Sequence, residues 1–216
     1  MKFKAAIFDM DGTLIDTLED LADSMNIVLK RFGFPEHEVS AYRFFVGSGM
    51  EELVKRALPE DKRTPEIIKQ GLQAMRDEYK KRWKNKSHLY EGIEELLDGL
   101  KAADLKLAIL SNKPDDFTRQ FTDWFLSKWS FDLVVGARPN VPKKPDPTAA
   151  IEIARHFGVL TEEVCYFGDT SIDMQTASAA GMYPVGVLWG FRSAEELIES
   201  GAKMLLTKPS VLVDWL

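Results

Sequence analysis

Short, mainly apolar runs recur along this chain, and helical patterns fall between them. The runs are Phe3–Phe8, Leu105–Leu110, Leu133–Val135, Val164–Phe167, Val185–Leu188 and Lys203–Leu206. Each is too short for a helix of ordinary length. Their residues are apolar in sequence rather than alternating, the pattern of strands covered on both faces. Helical patterns occupy 93–102, 115–127, 147–157, 172–180, 194–200 and 209–215. Strands separated by helices pair in parallel, so the expected class is α/β with helices on both faces of one sheet. Cap chemistry marks several boundaries. Asp146-Pro147 reads as an N-cap followed by proline at the first helical position. Ser193 with Glu196, and Asp16 with Glu19, fit capping boxes.

One stretch breaks the alternation. Residues 17 to about 86 contain no good strand candidate. Leu18, Leu21, Ala22, Met25, Val28, Leu29 and Phe32 line one helical face, and Glu51–Leu58 and Glu66–Trp83 are helical in pattern too. The expected organisation is therefore a parallel-sheet core from residues 1–16 and 89–216, with an all-helical insertion at 17–88. His88 to Gly92 forms the expected return hinge.

Composition narrows the function classes. With 28 Lys+Arg against 34 Asp+Glu, the net charge is −6, which argues against bulk attraction to nucleic acid or anionic lipid. No apolar run approaches the ~20 residues of a membrane span. The start, Met1-Lys2-Phe3-Lys4, leads into too short an apolar run for a secretory signal. A single cysteine, Cys165, excludes an intrachain disulfide and a cysteine-rich metal site; it is expected to be inert packing. The three histidines, His37, His88 and His156, show no ligand spacing. These features fit a cytoplasmic protein with no nucleic-acid or membrane partner, a monomer or a homodimer.

In an open parallel sheet, ligands bind beyond the carboxyl ends of the strands. After the first run come Asp9-Met10-Asp11-Gly12-Thr13, and after the second Ser111-Asn112-Lys113. Beyond the third lies Lys143-Lys144-Pro145-Asp146-Pro147, and after the fourth Gly168-Asp169-Thr170-Ser171-Ile172-Asp173. Asp9, Asp11, Asp169 and Asp173 thus converge on one edge. Two unit charges ~4 Å apart repel by about 4 kcal/mol at an effective dielectric of ~20. One lysine cannot offset four such groups, so either some are protonated or a cation is bound. Oxygen ligands without His or Cys point to a hard cation, and Mg²⁺ is the usual partner of phosphate substrates. Such a set suits phosphoryl transfer. One aspartate attacks phosphorus, and a second, two residues on, serves the leaving oxygen as acid and then water as base. Gly12 permits the sharp turn after them.

These four segments, in this order, resemble the four motifs of the haloacid dehalogenase superfamily. The resemblance implies a Rossmann-like core with a mobile cap, and the insertion after the first strand is similar to the helical cap of its phosphatase branch. Carried over by position, Asp9 is the nucleophile and a Mg²⁺ ligand. Asp11 is the general acid/base and binds the metal through its carbonyl. Ser111, with the Asn112 backbone, holds the phosphoryl group, and Lys144 stabilises Asp9 and that group. Asp169 ligates the metal, and Asp173 acts in its outer shell. Asp11 itself favours a phosphatase or phosphomutase over a dehalogenase. The absence of His from Asp16-Thr17-Leu18-Glu19-Asp20-Leu21 disfavours the mutase. Phe45-Val46-Gly47-Ser48-Gly49-Met50, Asn112-Lys113-Pro114 and Trp189-Gly190-Phe191-Arg192-Ser193 are similar to phosphoglycolate phosphatases. Ala137-Arg138-Pro139-Asn140 departs from the Gly/acidic stretch associated with that group. A small phosphorylated metabolite is the implied substrate. Pyrophosphate and sugar phosphates are the alternatives on the same site, and a receiver-like phospho-accepting module is the alternative of a different class.

In the insertion, Ser48 with Glu51 fits a capping box, and the helix start flanked by Gly47 and Gly49 is also a good anion site. Ser48 and Gly49 are thus candidate substrate contacts. Lys80-Lys81-Arg82 with Lys84 and Lys86 reads as a solvated helical face with Tyr79 and Trp83 turned inward. Trp124, Trp129 and Trp215 are expected near surfaces.

Overall fold

The computed structural model describes residues 3–210. The chain divides into two compact units. One comprises Met1–Ile15 with Leu89–Leu216, the other Asp16–His88.

The first unit is built on a six-stranded sheet. In chain order the strands are β1 (Ala5–Phe8), β4 (Lys106–Pro114), β5 (Leu133–Ala137), β6 (Val164–Gly168), β7 (Tyr183–Val187) and β8 (Met204–Leu206). Their spatial order is β5-β4-β1-β6-β7-β8, and every pair is parallel. The six expected strands are all present, and the α/β class is borne out. Helices α5 (Ile93–Ala102), α6 (Asp115–Phe125), α7 (Thr148–Phe157), α8 (Ser171–Ala179) and α9 (Ala194–Glu199) connect them. The helix expected at 209–215 falls largely outside the described residues.

Apolar strands need cover on both faces, and the helices supply it. Ala5 and Ile7 of β1 and Val164 and Tyr166 of β6 pack with Ala150, Ile153, Ala154 and Phe157 of α7 in one buried cluster. Phe8 stacks on Phe167, ring centroids 4.6 Å apart. Burying a side chain of this kind contributes roughly 1.5–3 kcal/mol. The packing also fixes register: Phe8 pairs with Ile109 on one side and Phe167 on the other. The chain leaves β1 for β4 on one flank and later returns to β6 on the opposite flank. Such a reversal of strand order opens a crevice at the carboxyl ends, where Asp9 and Asp169 follow β1 and β6; Ser111, expected beyond its strand, lies within β4, which runs on to Pro114.

The second unit contains α1 (Leu18–Arg31), α2 (Tyr42–Phe45), α3 (Met50–Ala57) and α4 (Pro65–Arg82). Leu18, Leu21, Ala22, Met25, Val28 and Leu29 form the buried face of α1. Tyr79 and Trp83 are buried, as their spacing implies. Glu78 is also buried and accepts from Arg31 (2.5 Å), Arg82 (2.7 Å) and Lys81 (3.0 Å). Hydrogen bonds from Lys81 first, then Arg31, hold its carboxyl down at about 2. Asp20, buried on α1, accepts from the amides of Lys86 and Ser87 and from the Ser87 hydroxyl. Two short strands, β2 (Ile15–Asp16) and β3 (His88–Leu89), carry the chain out of and back into the sheet unit and pair with each other.

Several local expectations need correction. α7 starts at Thr148, with Pro147 as N-cap; Asp146 instead accepts from the Thr148 amide at 2.9 Å. Asp16 accepts from the Leu18 amide at 3.1 Å, and Thr17 is the N-cap of α1, so no capping box forms there. Ser48 does not cap α3. Gly49 is the N-cap with φ of 95°, and the Ser48 hydroxyl accepts from Arg56 at 2.9 Å. Trp129 is buried rather than at the surface, and its indole N–H donates to Asp98 at 2.7 Å. Trp124 is exposed as expected, and Trp215 lies outside the described residues. Among the described residues no helix is long and apolar enough to cross a membrane.

Candidate active site

The site grows from the turn after β1. Met10 O accepts from the amides of Thr13, Leu14 and Ile15, so the chain reverses within a few residues. Gly12 sits at the bend with φ of 86°, where a side chain would be strained. A Cβ at Gly12 would also collide with Asp169 Oδ2. The close approach of the two loops therefore depends on glycine.

Four residues from three loops meet here. One carboxylate oxygen from each of Asp9, Asp169 and Asp173 lies within 4.8 Å of the others, and all three residues are buried. The Lys144 ammonium is 2.9 Å from Asp9 Oδ1 and 2.7 Å from Asp173 Oδ1. Asp173 Oδ2 accepts from the Thr170 amide and hydroxyl, so both its oxygens are engaged at the start of α8. Asp169 Oδ2 accepts from the Phe191 amide at 2.9 Å, and its Oδ1 from the Thr13 hydroxyl at 3.3 Å.

Charge counting shows what this cluster lacks. Fully ionised, three carboxylates against one ammonium would leave two negative charges in a buried space, so without a cation protons must offset them. Burial, opposed by Lys144 and reinforced by Asp173 and Asp11, pushes Asp9 up to about 6. Burial, then Asp173 and Asp9, holds Asp169 well above the carboxylate range. Burial works against the Lys144 charge, but Asp173 and Asp9 outweigh it and hold that ammonium well above its usual value. Asp9 Oδ1 is buried and has the Lys144 ammonium, 2.9 Å away, as its counter-charge. Three buried carboxylates sharing one ammonium, with no His or Cys among them, fit a divalent cation with oxygen preference.

The other expected residues take different places. Ser111, buried after β4's apolar run, accepts from the Lys113 amide at 3.3 Å. The Asn112 side chain clamps the Lys144 backbone: Nδ2 donates to Lys144 O and Oδ1 accepts from Lys144 N, each at 3.0 Å. It thereby orients the lysine, a task that sequence reasoning did not give it. Asp11 faces the ammonium of Lys113. Ser48 and Gly49 belong to the other unit, in the turn before α3.

Sequence reasoning also assigned no role to the loop after β7. Its Phe191 amide holds Asp169, and the Trp189 indole donates to Thr13 O at 2.9 Å. A Cβ at Gly190 would collide with Asp169 Cβ and the Gly12 carbonyl oxygen. A Trp-Gly-Phe sequence beyond a strand end was the available signal.

Comparison with known proteins agrees with this geometry. The profile of haloacid dehalogenase-like hydrolases matches residues 6–187. A phosphoglycolate phosphatase of Psychrobacter arcticus is 31% identical over 216 residues, covering 97% of this chain and 94% of that protein. One from Nitrosospira multiformis is 30% identical over 202 residues, covering 92% and 89%. A solved Lactobacillus delbrueckii subsp. bulgaricus structure, provisionally named a phosphoglycolate phosphatase, superposes with a TM-score of 0.93 at 30% identity, covering 100% of this chain and 98% of that one. With the profile spanning most of the chain and its acidic segments meeting at the strand ends, this protein belongs to the haloacid dehalogenase-like hydrolases.

Proposed function

We propose that this protein is a Mg²⁺-dependent phosphomonoesterase that works through an aspartyl-phosphate on Asp9, with 2-phosphoglycolate as leading substrate. The observation that carries the reading is the meeting of three buried carboxylates, Asp9, Asp169 and Asp173, around the single Lys144 ammonium. The names of the similar proteins support the substrate.

Asp9, Asp169 and the Asp11 carbonyl would hold the cation, with Asp173 in its outer surroundings. The bound cation would offset the phosphoryl charge and let Asp9 stay ionised. Lys144, oriented by Asn112 and Asp173, stabilises the same charge from the protein side. Ser111 and the Asn112 backbone hold phosphoryl oxygens. Asp9 attacks phosphorus while Asp11 donates a proton to the leaving oxygen. Asp11 then takes a proton from the water that releases phosphate and returns Asp9 to the carboxylate. The helical unit, Asp16–His88, would serve as a cap, with Ser48 and Gly49 as its candidate substrate contacts.

The test is hydrolysis of 4-nitrophenyl phosphate with Mg²⁺, followed by catalytic efficiencies for phosphoglycolate, pyrophosphate and sugar phosphates. Turnover abolished by chelation and by Asp9→Asn is expected, with phosphoglycolate preferred. No turnover by the wild type, or undiminished turnover in Asp9→Asn, would refute the mechanism. A stable phospho-protein without turnover would favour a receiver-like role.

A further inference from the structure

Lys113 is a buried charged side chain that the mechanism above leaves without a task. Its side chain is 2% exposed. Its ammonium lies 2.8 Å from Asp11 Oδ1 and 3.2 Å from Oδ2, so it spans both oxygens of one carboxylate. The Phe121 ring of α6 is 4.3 Å from the same nitrogen. Its amide is tied to Ser111 Oγ. Burying an ammonium is costly unless a partner repays it, and here the partner is the Asp11 carboxylate. The lysine is held from the backbone, from an aromatic face and by Asp11. It is therefore a fixed point against which Asp11 is oriented.

We propose that Lys113 is a positioning residue for Asp11, fixing the carboxyl group that serves the leaving oxygen and compensating the charge left on it after proton transfer. This rests on the phosphatase reading. In the first step the Asp9 Oδ–P bond forms and the P–O bond to the leaving group breaks. The electron pair of that bond stays on the leaving oxygen, which takes the Asp11 proton. Asp11 is left as a carboxylate at ion-pair distance from Lys113. In the second step water attacks phosphorus, its proton passes to Asp11, and the Asp9 Oδ–P bond breaks. Lys113 acts through Asp11: it sets where Asp11 stands and stabilises the charge Asp11 acquires. Lys144 serves the opposite partner, Asp9, so the two lysines divide the nucleophile and the acid between them.

Leaving-group dependence separates this role from a merely structural one. Phenyl phosphate and 4-nitrophenyl phosphate are alike in shape, but only the basic phenoxide needs a proton as it departs. In the Mg²⁺-loaded full chain, Lys113→Met should lose about tenfold or more kcat/KM on phenyl phosphate beyond its loss on 4-nitrophenyl phosphate, a fraction of the ~10²–10⁴-fold that general acids contribute. In an Asp11→Asn background the same substitution should add no selective loss, because its effect passes through Asp11. Equal losses on the two esters, in a variant melting like the wild type, would overturn the proposal; so would no loss, or full additivity with Asp11→Asn. If Lys113→Met does not fold, Lys113→Gln keeps a donor without the charge and is read the same way. Wild-type protein that hydrolyses neither ester refutes the phosphatase reading and takes this proposal with it. Active wild type with unselective variants refutes this proposal alone.

Discussion

Asp9 should destabilise the cation-free protein, and the size of the effect follows from its surroundings. Its carboxyl is pushed from an ordinary 3.8 up to about 6, chiefly by burial, with Lys144 opposing and Asp173 and Asp11 adding to the push. At about 1.36 kcal/mol per pH unit, that difference amounts to about 3 kcal/mol. The sign follows from the protonated form being favoured in the folded state. Below pH ~4 the carboxyl is protonated whether folded or unfolded, and it imposes no penalty. Between pH ~4 and ~6 the unfolded chain ionises first, so stability falls as pH rises; above ~6 the full penalty remains. Asn resembles the protonated carboxyl at every pH. In chelator, Asp9→Asn should therefore match wild type near pH 4 and exceed it by up to about 3 kcal/mol at pH 8. Urea unfolding at both pH values measures the difference. Saturating Mg²⁺ should close the gap at pH 8, since a ligand at a hundredfold its Kd stabilises by about 2.7 kcal/mol. A variant no more stable than wild type at pH 8, or one whose advantage does not shrink on acidification, would refute the reasoning.

Two further outcomes follow from the packing. Glu78 is held at about 2 by Lys81, Arg31 and Arg82, so its contribution is present above the ordinary 4.5 and is lost as pH falls toward 2. Its partners are partly exposed, which discounts the gain, and Glu78→Gln should cost about 1–2 kcal/mol at pH 7, with the difference shrinking on acid titration followed by circular dichroism. Gly190→Ala should weaken Mg²⁺ binding in calorimetry by at least about tenfold, because its Cβ would displace Asp169 and the Gly12 carbonyl; unchanged affinity would show that the loop yields freely.

How much was legible beforehand differs residue by residue. The six strands were readable because burial on both faces demands continuous apolar runs. Asp9 stood out because it directly follows such a run, and Asp169 because only Gly168 separates it from one. The Lys113–Asp11 pair was not readable, since 102 positions separate its members and nothing local distinguishes this lysine from a solvated one. The same holds for the Phe191 amide on Asp169, a backbone donor that any residue type would supply. Capping boxes misled at Asp16 and Ser48 because their hydroxyl and carboxylate oxygens found other partners.

The linear chain alone, through its apolar rhythm and the polar residues that punctuate it, determined the α/β class and the acidic loops that meet at one sheet edge. Those are one-dimensional properties, because pattern and strand ends follow from local burial. Folding in three dimensions decided which charges face which: Lys144 between Asp9 and Asp173, Lys113 on Asp11, Asn112 clamping the Lys144 backbone. Electrostatic partnership acts across a few ångströms of space and is blind to separation along the chain.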